Sequence, residues 1–258
     1  MENARDIAEE SRNLVGIIPI AGHETFDFDQ PWPDCMMPIG PGYSIVEAAV
    51  AECAWAGCKS IWIVVNHDFS AYIRKRLGDW CLDPVWAHRS HDYNIGVSKR
   101  KIPIYYVGVN TKDRHKRDCT SWSVLHGAVT AFKTFANLSE WMIPSKYYVS
   151  FPHGFFPAHQ LREHRRIINS KKNCFISFNG QTVKDNNFMS FTFGKNDWLE
   201  FRRVIRTGTG IRPPGTAYGE EKVLNPLERW SARFFGVEKV FEPLNLDSSH
   251  EIKVQDYF

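Results

Sequence analysis

Asp27 and Asp29 flank a single phenylalanine in a polar loop, and two carboxylates one residue apart in an extended segment can reach one hard cation. Oxygen ligands of that kind suit magnesium or manganese; the plainer reading is a pair of solvent-facing acids. His153 follows an apolar run over 146–151 and sits between Pro152 and Gly154. An imidazole there can ligate a metal, hydrogen-bond a leaving phosphate, or be satisfied by neighbouring backbone. His67 and Asp68 close another apolar run and stand in the same position. A general base on the acceptor side requires a carboxylate, and Asp197 is taken for that role beside His153, with Glu200, Glu220 and Glu221 as further candidates. Ala21, Gly22 and His23 follow the first apolar run, where small residues let a ligand approach the backbone. Basic side chains gather in three places, and Arg114, Lys116, Arg117, Arg165, Arg166 and Arg202 are the candidates for phosphate or nucleic-acid contact. Solvated faces balanced by acids elsewhere are the alternative.

Those residues need a scaffold, and hydrophobic periodicity supplies its outline. The run 14–20 reads as a strand. Ser44 with Glu47 three residues on is a capping pair for a helix to Ala56, and Gly57 ends it. Residues 61–65 form a continuous apolar strand that a two-sided, parallel sheet buries best. A short basic helix over 70–77 and a strand over 102–109 follow. Next comes a helix capped near Asp118 to Ser121, with Trp122, Leu125, Val129, Phe132 and Phe135 on one face. After the strand 146–151, residues 174–178 and 188–193 alternate as the arms of a hairpin or sheet edge. A helix over 198–206, a loop over 208–215 rich in glycine and proline, and a last helix over 227–235 complete the pattern. Gly208-Thr209-Gly210 lacks the Lys-Ser/Thr that would make it a phosphate loop.

At 258 residues the chain suits one large domain with a full core. Its 43% hydrophobic and 14% aromatic content are those of a folded globular protein. Neither a membrane-length apolar run nor a secretory leader is present, so a cytoplasmic protein is expected. The six cysteines are scattered with no Cys-x-x-Cys pair, which argues against a disulfide framework or a structural zinc site. The net charge is only +3, so clustering of the basic residues matters more than their total.

Taken in order, the junctions are Ile18-Pro19-Ile20-Ala21-Gly22, then 33–39 (Pro-Asp-Cys-Met-Met-Pro-Ile), then 46–50 (Val-Glu-Ala-Ala-Val), then Ala56-Gly57 opening the strand at Ile61. This order resembles the nucleoside-diphospho-sugar transferase fold, the GT-A-like Rossmann variant of sugar-1-phosphate nucleotidyltransferases and many glycosyltransferases, best over 14–156. The resemblance implies an α/β domain with a central, mostly parallel mixed sheet and helices on both faces. It also implies a nucleotide-binding half over 1–156 and an acceptor or lid half over 157–258, with a β-hairpin and a C-terminal helix. Residues 120–125 are similar to the family's Gly-Thr-Ala segment, which makes Ser121 a contact for base and sugar. Ala21, Gly22, His23, His67, Asp68 and Gly154 would complete the donor site. The chain departs from the family where charge is handled. No arginine follows Gly22, Asp34 stands for the motif lysine, and His153 stands for the metal-binding aspartate.

Joining a sugar phosphate to a nucleoside triphosphate brings several negative charges together and requires cationic clamps. Glycosyl transfer from a ready-made nucleotide sugar needs a divalent cation or basic groups only at the leaving diphosphate. The first expectation is therefore a nucleotide-sugar-dependent glycosyltransferase, with magnesium or manganese at Asp27 and Asp29 and a polyanionic acceptor such as modified DNA bases. A divergent sugar-1-phosphate nucleotidyltransferase is the enzyme alternative. A catalytically inactive nucleotide- or partner-binding protein is the third reading.

Overall fold

The computed structural model describes residues 13–21, 32–89, 100–109, 119–154, 156–212, 222–223 and 236–255. Strands β1 (Leu14–Pro19) and β4 (Ser60–Val65) are buried at every residue, which is why neither shows polar alternation. They pair in parallel with Ile17 opposite Trp62. Strand β6 (Lys101–Gly108) continues the parallel set beyond β4, and β7 (Lys146–Val149) joins β1 on its other side. Antiparallel β5 (Trp80–Leu82) closes one edge. On the other flank lie β9 (Phe191–Gly194), antiparallel to β7, then β8 (Cys174–Ser177) and β12 (His250–Lys253). The result is one eight-stranded mixed sheet in the order β12-β8-β9-β7-β1-β4-β6-β5. Two short ribbons stand apart, β2 (Pro38–Gly40) with β3 (Tyr43–Ser44), and β10 (Ile211–Arg212) with β11 (Lys222–Val223).

Helices cover both faces. Helix α1 (Ile45–Ala56) starts where expected, with the Ser44 N–H donating to the Glu47 carboxylate at 2.8 Å, and ends at Gly57 with φ 95°. It packs closely on β1 because Gly16 has no side chain: a Cβ there would lie 2.9 Å from Cys53 Sγ. Helices α2 (His67–Leu77) and α3 (Pro84–Arg89) follow β4 and β5. On the opposite face, α4 (Thr120–Leu138) crosses β1 and β4 at Gly127, where a Cβ would come within 2.7 Å of Val64 Cγ2. Helices α5 (Arg165–Ile168), α6 (Asp197–Gly210) and α7 (Val237–Val240) complete the set. Val15, Ile17, Trp62, Val64, Phe191 and Phe201 belong to the core beneath α4 and α6, while Leu14, Ile18, Cys53, Ile61 and Ile176 belong to the one beneath α1. The α/β architecture with a mostly parallel mixed sheet is thus the one the junctions implied, and residues beyond 157 add β8, β9 and β12 to that same sheet.

Some local expectations are corrected. Gly208, Thr209 and Gly210 are the last turn of α6 and not the start of a loop, held by Thr209 Oγ1 donating to the Ile205 carbonyl at 2.7 Å. Of the expected α4 face, Leu125 and Phe135 are buried while Trp122, Val129 and Phe132 are half-buried, because the buried stripe is centred on Ser121, Val124, Leu125, Ala128, Ala131 and Phe135. Asn179 and Gly180, both with positive φ, make a tight turn between Phe178 and Gln181, and β8 meets β9 only after a longer excursion. The expected helix over 227–235 lies outside the described residues. Among the described residues no helix is long and apolar enough to cross a membrane.

Candidate functional site

The chain runs from β1 outward through β4 to β6 and then returns to place β7 on the far side of β1. The carboxyl ends of β1 and β7 therefore bound a topological switch point, the place where open α/β sheets form a ligand crevice. Ile20 extends β1 by donating to the Val64 carbonyl at 2.9 Å, and Ser150 extends β7 by donating to Ile17 at 3.0 Å. Ala21 is delivered to this edge from β1, Asn66 and His67 from β4, and the Ser150–Gly154 segment from β7. Helix α4 follows β6 and runs back over the sheet, so its amino end lies at the same edge. Its first-turn N–H groups and dipole favour an anion there.

Among the described residues, Ser121 Oγ in the first turn of α4 and Asn66 Oδ1 at the end of β4 are buried at this edge without a hydrogen-bond partner. Ser121 is 0% exposed. Orphaned buried polar atoms cost about 1–3 kcal/mol each, and their place at a switch point marks where a ligand's polar groups would compensate them. Nearby, the His67 ring occupies the space a side chain on Gly108 would need, since a Cβ would lie 2.3 Å from His67 Cε1. His126 Nε2 reaches the Gly108 carbonyl at 3.1 Å and fixes α4 against that strand end.

The turn carrying His153 is tightly held. Gly154 N–H donates to the Phe151 carbonyl at 3.1 Å. A Cβ on Gly154 would lie 1.8 Å from the Phe188 carbonyl oxygen, so glycine is needed for the close approach of the two backbones. The exposed His153 ring stands edge-on to Phe188 at 6.4 Å. Behind this turn Glu52 of α1 is only 2% exposed, and its carboxyl accepts from Tyr148 Oη at 2.6 Å, Ser150 Oγ at 2.8 Å and Ser190 Oγ. Burial pushes the Glu52 carboxyl up to about 7, against the pull of the three hydroxyls.

The structure separates the expected catalytic pair. His153 lies at the carboxyl edge, whereas Asp197 lies at the opposite edge, beside Gly194, which pairs with the first residue of β7. The Asp197 carboxylate accepts from Gly194 N–H at 2.7 Å and Asn173 Nδ2 at 3.1 Å, so it anchors the start of α6 and shares no site with His153. Arg165 is likewise corrected from a phosphate contact to an internal clamp. Its guanidinium donates to the Trp55 and Ala54 carbonyls at 2.8 and 2.6 Å and pairs with Asp83 at 2.9 Å. Arg166 and Arg202 are exposed on α5 and α6. Ala21, His67, Ser121, His153 and Gly154 do converge on one edge, and Asp68 sits exposed in the first turn of α2 beside them. Gly22, His23, Asp27, Asp29, Arg114, Lys116 and Arg117 lie outside the described residues. Among the described residues no three His, Cys, Asp or Glu side chains gather as a metal site, so no chemistry is assigned to a metal from them. An open depression of about 420 Å³, lined by Glu200, Arg203, Val204, Thr207 and Gly208, lies along α6 and not at the strand ends.

Sequence reasoning did not single out Asn66, Gly108, Phe188 or Glu52. Only Glu52 carried a signal, a carboxylate inside the stripe formed by Ala48, Ala49, Cys53 and Ala56. No protein-family profile matches the chain, and no curated protein sequence matches it. Among solved structures, it is similar to a Bacillus anthracis protein described as a glucose-1-phosphate thymidylyltransferase, in complex with sucrose. The identity is 8%, with 95% of this chain and 88% of that one covered at a TM-score of 0.57. Rv0371c of Mycobacterium tuberculosis is similar at 11% identity, with 94% and 88% covered and a TM-score of 0.50. A Vibrio cholerae nucleoside-diphosphate-sugar pyrophosphorylase aligns at 16% identity, with 92% of each chain covered and a TM-score of 0.46. At these identities the likeness to the first two speaks for the fold alone, an α/β domain built on a mostly parallel mixed sheet.

Proposed function

We propose that this chain binds a nucleotide in the crevice beyond β1, β4 and β7 and acts as a divergent sugar-1-phosphate nucleotidyltransferase. The observation that carries the reading is the burial of Ser121 Oγ and Asn66 Oδ1, both without hydrogen-bond partners among the described residues, at the switch point of the sheet. A base or ribose supplies the donors and acceptors those atoms lack, and the amino end of α4 favours the phosphate side of the ligand. The nucleotidyltransferase-like fold supports nucleotidyl transfer ahead of glycosyl transfer. In this reaction the sugar phosphate attacks the α-phosphorus of a nucleoside triphosphate and pyrophosphate leaves, so cations must approach from segments such as the one carrying Arg114 and Arg117. A divalent cation would be held by Asp27 and Asp29.

One observation favours a second reading, glycosyl transfer from a nucleotide sugar. Asp34 opens a one-turn 3-10 helix ahead of α1, where the resembling family places a phosphate-binding lysine, and His153 stands where it places a carboxylate. The two reactions separate in one assay. The protein is incubated with each nucleoside triphosphate and a panel of sugar 1-phosphates in magnesium or manganese, and pyrophosphate is followed. Release that depends on both substrates supports nucleotidyl transfer. Sugar release or transfer from nucleotide sugars, without pyrophosphate, supports the second reading. If no nucleotide or nucleotide sugar raises Tm at millimolar concentration, both readings fail, because ligand at about a hundred times Kd stabilises the fold by about 2.7 kcal/mol. Ser121→Ala should weaken the stabilising nucleotide about tenfold by isothermal titration, the loss of roughly one hydrogen bond.

A further inference from the structure

Glu52 presents a problem that the proposed activity does not solve. It occupies the inward face of α1 among Ala48, Ala49, Cys53 and Ala56, where an apolar side chain would pack without a desolvation penalty. Its three partners come from distinct places: Tyr148 on β7, Ser150 immediately past that strand, and Ser190 just ahead of β9. Ser150 begins the segment that turns at Pro152 and His153, and Ser190 ends the segment that carries Phe188. Those two segments meet again further out. The Phe188 carbonyl rests on Gly154, and the Phe188 ring lies edge-on to Phe151 at 5.4 Å and to His153 at 6.4 Å. One carboxyl therefore sets the spacing of both sides of the turn that presents His153.

We propose that Glu52 is a positioning residue for the strand-end site, fixing the Ser150–Gly154 and Phe188–Ser190 segments through its three hydroxyl donors so that His153 is held at the mouth of the crevice. It touches no ligand and acts only through those segments. The proposal rests on the nucleotide reading for the purpose of the turn, and its test needs no ligand.

The full chain is labelled with ¹³C-histidine, and the His153 Cε1–H cross-peak is assigned by its loss in His153→Gln. Glu52→Leu leaves the three hydroxyls without an acceptor and should displace or broaden that cross-peak. Glu52→Gln retains a carbonyl acceptor and should return it towards its original position. Phe201→Leu, which loosens the core packed against Phe193 and Phe241, is the control for general destabilisation and should leave it in place. Where Glu52→Leu does not fold, Ser190→Ala carries the test by removing one donor from the Phe188 segment. An unmoved cross-peak in the folded Glu52→Leu protein, or in Ser190→Ala when that variant decides, overturns the proposal. So does an equal displacement in Phe201→Leu. A displaced cross-peak in a protein that binds no nucleotide would keep Glu52 as the organiser of the turn while removing the nucleotide reading of the site.

Discussion

The Glu52 carboxyl ties stability to pH in a direction opposite to that of a salt-bridged acid. Burial raises it from 4.5 to about 7, so between these values the unfolded chain has released a proton that the folded chain still holds. Stability is then fully present below pH 4.5, falls as pH rises, and levels off above pH 7, with a total loss on the order of 3 kcal/mol. Glu52→Gln cannot ionise, so the difference in Tm between variant and parent should move in the variant's favour across this interval. A constant difference from pH 4.5 to pH 8 would show that the folded state does not raise this group. Gly154 supports a second prediction at the same scale. Alanine there would push its Cβ to 1.8 Å from the Phe188 oxygen, an atom that can yield only if the backbone moves. Gly154→Ala should cost about 1–3 kcal/mol in a urea melt and move the His153 turn. The residue-level site was legible only in part. Ser121, His153 and Gly154 could be named as candidates because they follow apolar runs or sit in a resembling segment, and they lie at one edge of the sheet. Asn66 and Gly108 were not, because an orphaned amide and a histidine ring filling a glycine's space are facts of packing that residue type alone does not carry.

Elements were more legible than residues, and the misses have physical causes. The Ser44–Glu47 cap, the Gly57 stop and the doubly buried β1 and β4 are local devices that short windows of sequence expose. Helix α6 runs through two glycines where Thr209 is buried, a tertiary contribution set against about 1 kcal/mol of poor propensity at each glycine, while the Thr209 hydroxyl back-bonds locally to Ile205. Strand β12 could not be read because its partner β8 lies more than seventy residues earlier, and its four residues alternate too briefly to announce themselves. Lys146 belongs to this scale as well. Its buried ammonium donates to the carbonyls of Ile168, Ser170 and Lys172 at 2.9, 2.8 and 2.5 Å, fastening the end of α5 and the segment after it to the start of β7. Burial draws it down to about 8. Lys146→Met leaves those carbonyls without this donor and should lower stability by about 2–4 kcal/mol. Because Lys146 is at the edge opposite His153, nucleotide affinity measured on the folded fraction should stay within twofold of the parent. A large loss of affinity would mean that the two edges are coupled through β7.

At the scale of the whole molecule, the sheet has two edges with different duties. At the amino edge polar side chains are consumed by structure, Asp197 on Gly194 and Asn173, and Lys146 on three carbonyls. At the carboxyl edge the first turn of α4 and the end of β4 leave Ser121 Oγ and Asn66 Oδ1 unspent, and glycines at 108 and 154 admit close neighbours. Buried polar groups are ordinarily saturated, so the orphaned Ser121 and Asn66 atoms make the carboxyl edge the place to look for a partner. The asymmetry gives a footprint that no single substitution can mimic. On adding the nucleotide that most raises Tm, amide hydrogen exchange should slow at residues 19–21, 66–68, 119–122, 150–154 and 187–190, and stay unchanged at 194–198 and 168–173. Protection confined to the 200–208 face of α6 would instead assign the ligand to the open depression there and end the switch-point reading. Uniform slowing at both edges would report global stabilisation, and repeating the experiment with Ser121→Ala separates the cases. With affinity lowered about tenfold, a local site shows the same carboxyl-edge footprint again at about ten times the nucleotide, whereas a global effect slows both edges together at every concentration.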